Sequence, residues 1–262
     1  NLTYLSDKKL IVISESLKQV NDNKIPGCFV EAGDALGGTL CIISGSSEGR
    51  TVYAYDTFEM IPPPTDKDPE EVHERYKEIR AGKSKGIGGD IYYGYRSDLL
   101  DFVSHNIKAL CGEESFNRTK FFKGLLQDTM DIRNEVAFAH IDVDWYDPVL
   151  YSVTHIWPLL SSGGVIIFDD YFDWGGCKKA VDEFRNNNNI YLPDKNLFKQ
   201  EYIKYLSQFK FNKSRAVVLI DEPCLVLWAV SINKVKTFNL CNSSISWKTD
   251  LSTFSSISFC LI

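Results

Sequence analysis

Five aspartates fall in the stretch from Ala139 to Tyr171, which begins Ala-His-Ile-Asp-Val-Asp-Trp-Tyr-Asp-Pro and ends Gly-Gly-Val-Ile-Ile-Phe-Asp-Asp-Tyr. Asp142, Asp169 and Asp170 are spaced to act together, with Asp144 and Asp147 beside them. Two ionised carboxylates about 4 Å apart repel by about 4 kcal/mol at an effective dielectric near 20. Three on one crevice therefore call for a bound cation or for retained protons. Oxygen-only ligands, with no Cys or His at fixed spacing, suit Mg²⁺ or a similar hard ion. The competing reading is that aspartate merely ends strands, as it does in many turns. A constellation of three outweighs it.

The flanking residues explain the convergence. Val136 to Ile141 is a short apolar run of buried-strand character. Pro148 to Leu160 carries Val149, Val153, Ile156, Trp157 and Leu160 at helical spacing, and Ser161-Ser162-Gly163-Gly164 is expected to stop that helix. Val165 to Phe168 makes a second buried strand, ended by Asp169-Asp170. Parallel strands joined by a crossover helix end on the same sheet edge, and open α/β sheets bind their ligands there.

Upstream, Leu2 to Val20 reads as a helix with Leu10, Ile13, Leu17 and Val20 on one face. Cys28 to Glu31 is a buried strand running into Ala32-Gly33-Asp34-Ala35-Leu36-Gly37-Gly38-Thr39, and a helix follows through Ile43. A glycine-rich turn between strand and helix lets the backbone approach a ligand and presents free N–H groups. The pattern Glu-x-Gly-x-x-x-Gly-Gly is not the dinucleotide Gly-x-Gly-x-x-Gly. Thr51 to Tyr55 is the next strand, and Asp56 at its tip is placed to accept hydrogen bonds from ribose hydroxyls.

Met60 to Tyr95 interrupts the alternation with Pro62-Pro63-Pro64, a charged helix over Asp68 to Ala81, and Gly86-Ile87-Gly88-Gly89. An insertion of this length at a ligand edge reads as a lid. Its Tyr92, Tyr93 and Tyr95 either line a pocket or anchor the loop. Ser97 to Leu110 is an amphipathic helix, and Gln127 with Asp128 falls again at the C-terminal edge. Gly175 to Asn186 forms a helix, and Ala216 to Ile220 with Cys224 to Val230 forms a hairpin. The domain is expected to span residues 1–230, leaving a tail at 231–262 to which the sequence assigns no role.

The chain has 262 residues, 44% hydrophobic and 24% charged, enough for one α/β domain with a substantial core. A net charge of −6 and scattered basic residues argue against nucleic acid or an anionic membrane as partner. Seven cysteines match no zinc or disulfide framework, and Cys28, Cys41 and Cys224 lie in apolar runs as small core residues. No signal peptide or membrane span is read, so a reducing, cytoplasmic setting is expected.

With these pieces placed, the sequence resembles the TylF/MycF family of metal- and S-adenosylmethionine-dependent O-methyltransferases, the macrocin O-methyltransferase type. The resemblance rests on Gly27-Cys28-Phe29-Val30-Glu31-Ala32-Gly33 with Gly37-Gly38-Thr39, on Tyr55-Asp56-Thr57-Phe58, and on Lys123 to Thr129. His140 to Tyr146, Gly163 to Tyr171 and Gly175 to Phe184 complete it. It implies a class I methyltransferase, Rossmann-like sheet of seven strands with the last antiparallel. It also implies S-adenosylmethionine held by Glu31, Ala32, Gly33, Gly37, Gly38 and Thr39, with Asp56 on the ribose and Gln127 and Asp128 near the adenine. Asp142, Asp169 and Asp170 match the family's metal ligands, and dimerisation is expected from the resemblance alone.

The implied acceptor is a sugar hydroxyl of a glycoside or natural product. Its proton must go to a base, for which Asp144 is the first choice, Asp142 the alternative and His140 a distant third. His140 reads as structural. An NAD-dependent oxidoreductase is opposed by the missing dinucleotide glycines, and a non-catalytic cofactor-binding or scaffold protein by the presence of every acidic position. A cephalosporin-hydroxylase-like enzyme, with a similar sheet and metal site, is a neighbouring alternative.

Overall fold

The computed structural model describes residues 2–188, 190, 214–220 and 225–231. Of the tail assigned to 231–262, Ser231 ends the last strand and residues 232–262 lie outside the described residues, as does Cys224. Seven strands form one sheet in the order β3-β2-β1-β4-β5-β6-β7: β1 (Cys28–Ala32), β2 (Val52–Asp56), β3 (Thr119–Lys123), β4 (Val136–Ile141), β5 (Leu160–Phe168), β6 (Ser214–Ile220) and β7 (Leu225–Ser231). The first six run parallel, and β7 pairs antiparallel with β6. The order reverses between β1 and β4, which opens a crevice beyond the ends of those two strands.

Helices cover both faces. On one, α1 (Asp7–Asp22), α2 (Gly38–Gly45) and α4 (Leu99–Arg118) bury Val12, Ile13, Leu17, Leu40, Ile43, Val103 and Ile107 against Phe29, Phe138 and Ile167. On the other, α6 (Tyr146–Ile156) and α7 (Gly175–Asn187) bury Val149, Val153, Ile156, Ala180, Val181 and Phe184 against Val30, Ala139, Ile166 and Phe168. Two short elements remain: α3 (Glu70–Arg80) in the insertion and α5 (Leu126–Thr129) after β3. Among the described residues no helix is long and apolar enough to cross a membrane.

Several boundaries differ from the sequence reading, among them α4, expected over Ser97 to Leu110 and found over Leu99–Arg118, and two have a clear local cause. The first helix starts at Asp7, because the Ser6 hydroxyl accepts from Lys9 N and caps it there. The second crossover helix ends at Ile156, with Trp157–Leu159 as a 3₁₀ turn. The ring of Pro158 cannot continue an α-helical ladder, so the Ser-Ser-Gly-Gly stretch belongs to β5 rather than to a helix stop.

Close backbone approach explains one glycine directly. Gly33 has φ +94°, and a Cβ there would lie 1.8 Å from the carbonyl oxygen of Asp142. Gly33→Ala is expected to cost about 3 kcal/mol or more through strain and overpacking. Urea unfolding measures it, and a loss below about 1 kcal/mol would show that the loop relaxes freely.

Candidate active site

The crevice is lined by the C-terminal ends of β1, β4 and β5, and the strand register decides which side chains meet there. Glu31 stands opposite His140, and His140 opposite Ile167. Asp169 lies two residues beyond Ile167, so Glu31, His140 and Asp169 share one face of the sheet. The cross-strand row Phe29, Phe138, Val165 on that face is followed by Glu31, His140 and Ile167, with Asp169 one same-face step beyond Ile167. Glu31 and His140 are 0% exposed and Asp169 is 4%.

Asp142, Asp169 and Asp170 each offer a carboxylate oxygen within 4.8 Å of one another. The fold brings these three together as the sequence reading expects. Asp144 adjoins them: its backbone N–H donates to Asp170 Oδ2 at 3.3 Å, and its own φ is +52°. Burial raises the Asp142 and Asp170 carboxyls well above the usual range, and their acidic neighbours raise them further. Asp144 is pushed up to about 7, by burial and then by Asp169, against the opposing pull of Arg75 and Lys9.

Lys9 is a participant that the sequence reading missed. Its ammonium, 8% exposed, donates to Asp169 Oδ2 at 2.8 Å, to the Asp169 carbonyl at 3.2 Å and to Asp173 Oδ2 at 2.9 Å. The available signal was a lysine on the apolar face of α1, in phase with Val12, Ile13, Ser16, Leu17 and Val20. Asp169 is correspondingly held below the usual carboxylate range: burial opposes this, but His140 and Lys9 prevail. His140 in turn is held up to about 9, because Asp169 and Glu31 outweigh the burial that disfavours its charge.

The glycine loop brings some expected residues to the crevice and diverts others. Ala32 is fully buried in β1, and its carbonyl accepts from Asp142 N at 2.8 Å. Gly37 N donates to Asp34 O at 2.7 Å, and Gly38 N to Leu2 O at 2.9 Å, so neither N–H is free. The Thr39 hydroxyl lies 3.4 Å from that of Thr3. Asp56 is also committed. Its Oδ2 accepts from Asp34 N and Ala35 N at 2.7 and 3.2 Å, and its Oδ1 from Phe58 N at 2.6 Å. Asp56, the residue expected at the ribose, thus also holds the loop in place.

Asp34, 4% exposed, is buried beside Glu31, and no N–H or hydroxyl donates to its two oxygens. Burial, then the charges of Glu31 and Asp56, raises its carboxyl well above the usual range. Asp34 read as an ordinary turn residue in sequence. Gln127 and Asp128 are exposed on α5, apart from this buried group. Beside α5, where β2 and β3 end, an open groove of about 440 Å³ is lined by Thr57, Glu59, Met60, Pro62, Lys123 and Gly124.

The insertion docks on the acidic turn. Trp145 Nε1 donates to Pro62 O at 3.0 Å, and Asp68 Oδ1 accepts from Tyr146 N at 2.7 Å, capping α6 from a distance. One of the two roles left open for the tyrosines is filled by Tyr95. Tyr95 is an anchor, its hydroxyl donating to Ile79 O at 2.5 Å. Tyr92 and Tyr93, with ring centroids 4.4 Å apart, feel the charge of Asp144, and Tyr4 meets Tyr93 edge-on at 5.9 Å.

These shifts predict how stability varies with pH. Carboxyls raised in the folded state bind protons that the unfolded chain has already released, so stability falls as pH rises between the two values. For Asp144 that window runs from about 4, unfolded, to about 7. His140 acts in the same direction up to about 9. The melting temperature of protein in EDTA is expected to fall steadily from about pH 5 to about pH 8. A flat profile would contradict the placement of these groups.

Residues 1–87 and 100–199 match the family described as macrocin-O-methyltransferase (TylF). The chain is 27% identical over 206 residues to the demethyldecarbamoylnovobiocin O-methyltransferase of Streptomyces niveus, covering 72% of this chain and 69% of that one. It is also 27% identical over 198 residues to the mycinamicin III 3''-O-methyltransferase of Micromonospora griseorubida, covering 72% of each. In fold it is similar to the O-methyltransferase NovP, with a TM-score of 0.63 at 22% identity, over 88% of this chain and 82% of that one.

Proposed function

The chain belongs to the macrocin-O-methyltransferase (TylF) family, and from that premise we propose that it transfers the methyl group of S-adenosylmethionine to a hydroxyl of a sugar in a glycosylated natural product, assisted by Mg²⁺. The observation that carries the reading is the meeting of Asp142, Asp169 and Asp170 within 4.8 Å beside Asp144. The oxidoreductase alternative finds no support in the family match.

The residues present fit both absent groups. Asp169 Oδ1 is buried without a partner, and the three donors are all hard oxygens, as Mg²⁺ prefers. Glu31 Oε2 and both Asp34 oxygens are buried with no N–H or hydroxyl donating to them, which suits the positive charge of a sulfonium amino acid. When bound, the cofactor supplies an electrophilic methyl group and the ion acidifies the acceptor hydroxyl.

The protein's own part is positioning and proton transfer. Asp142, Asp169 and Asp170 hold the ion, and Lys9 leaves Asp169 one oxygen for it. Asp144 takes the acceptor proton, a task for which a buried carboxylate beside the triad is placed. Tyr92 and Tyr93 of the insertion rim the acceptor side, where the segment acts as a lid over Asp144 and limits water. A sugar fits because its neighbouring hydroxyls can chelate a divalent ion, and the Micromonospora relative acts at a 3'' hydroxyl.

Calorimetric titration of S-adenosylmethionine, with Mg²⁺ and with EDTA, tests the reading, followed by a screen of glycosides for methyl transfer. Failure of the folded protein to bind S-adenosylmethionine would overturn it. Because an ion must displace the protons held by the acidic groups, Mg²⁺ is expected to raise the melting temperature more at about pH 8 than at about pH 6. The reverse order would count against ion binding at the triad.

A further inference from the structure

His140 has no part in the chemistry above, yet its ring lies between a residue of each ligand site. Its Nδ1 lies 3.2 Å from Glu31 Oε1, at the glycine loop. Its Nε2 lies 3.9 Å from Asp169 Oδ1, at the acidic triad. Each carboxylate has one oxygen committed inward, Glu31 Oε1 to His140 and Asp169 Oδ2 to Lys9. The others, Glu31 Oε2 and Asp169 Oδ1, are buried without partners, and so is His140 Nε2. Buried ionisable groups left unpaired in an apolar wall cost several kcal/mol. Packing alone would favour apolar side chains here, as in the preceding Phe29–Phe138–Val165 row.

A gap of 3.9 Å is just beyond a hydrogen bond, which forms near 3 Å. The ring can close it only by a small shift that lengthens its contact with Glu31, so one imidazole serves two carboxylates in alternation. When a cation takes Asp169 Oδ1, that oxygen no longer draws the ring, and the ring settles on Glu31. Glu31 is then fixed with Oε2 turned to the loop.

We propose that His140 is a positioning residue that couples the two sites, so that a divalent ion on Asp169 strengthens cofactor binding at Glu31 and the cofactor strengthens ion binding equally. The inference rests on the methyltransferase reading of those two sites. Equality of the two effects is required by linkage, and couplings of this kind amount to about 5-fold or more in affinity.

The test uses His140→Asn in the whole protein. The asparagine amide reproduces the Nδ1 position and so keeps the partner of Glu31, but it has no atom in place of Nε2. Calorimetry measures the dissociation constant of S-adenosylmethionine with Mg²⁺ and with EDTA, and that of Mg²⁺ alone. In the wild type the ion is expected to tighten cofactor binding about 5-fold or more. In the variant that ratio is expected to fall to about one, with each ligand alone binding within about threefold of wild type. An unchanged ratio in the variant, or a ratio of one in the wild type, overturns the proposal.

A second measurement needs only the native protein. Of the four histidines in the chain, His140 is the buried one, so its ring ¹⁵N resonances report this site alone. Mg²⁺ and S-adenosylmethionine, added separately, are each expected to shift them, and a response to only one overturns the coupling even if the variant does not fold. Loss of all cofactor binding by the wild type is a different result. It overturns the methyltransferase reading and takes the coupling with it.

Discussion

Asp170→Asn is expected to remove Mg²⁺ binding and to lower kcat/KM on the order of 10³-fold, the loss typical of removing one preorganised charge-stabilising contact. The same change is expected to raise the melting temperature of the protein in EDTA. Asp170 is 6% exposed, and burial with the charges of Asp144 and Asp169 holds its carboxyl well above the usual range. The folded state without an ion therefore bears either that repulsion or the cost of retaining a proton, and a neutral amide relieves both. Stability gained as function is lost is the signature of a site assembled against its own electrostatics. Binding of S-adenosylmethionine is expected to persist, since Glu31 and Asp34 are untouched. Calorimetry, thermal melts and methyl-transfer rates check the three parts. A variant that melts lower than wild type in EDTA would show that Asp170 is held by contacts stronger than that repulsion.

Asp144→Asn is expected to lower kcat between about 10²- and 10⁴-fold, the usual contribution of a positioned base. Affinities for S-adenosylmethionine and Mg²⁺ are expected to stay within about threefold. Asparagine is the substitution to use because residue 144 has φ +52°, a conformation that Asn tolerates and most side chains do not. An alanine would confound a lost base with a strained turn. In the wild type, log kcat at limiting pH should rise with pH and level off as Asp144 ionises, and the ion should move that midpoint below 7 by favouring the charged carboxylate. If Asp144→Asn keeps kcat within about tenfold, the base is Asp142, the alternative within the same turn.

Much of this arrangement could be read from local pattern. The apolar strand runs, the glycine turn and the aspartates after Ile141 and Phe168 are short-range features. Strand periodicity together with the rule that parallel crossovers share an edge is enough to bring Asp142, Asp169 and Asp170 to one crevice. The insertion from Met60 to Tyr95 announced itself in the same way, by breaking the α/β alternation.

What escaped was the assignment of partners. Asp56 is at the strand tip as expected, and its oxygens also accept from the N–H groups of Asp34, Ala35 and Phe58, which the sequence did not indicate. Asp34, an unremarked turn residue, is buried beside Glu31 with no N–H or hydroxyl donating to its carboxyl. Gly38 presents its N–H to Leu2 rather than to open space. Lys9 reaches Asp169 across 160 positions of chain, and His140 becomes a bridge only because the register sets it opposite Glu31 and next but one to Asp169. A residue's type and periodicity specify which face it occupies. Which oxygen remains free depends on distances of a few tenths of an ångström between segments far apart in sequence, and those are set when the sheet and its helices pack.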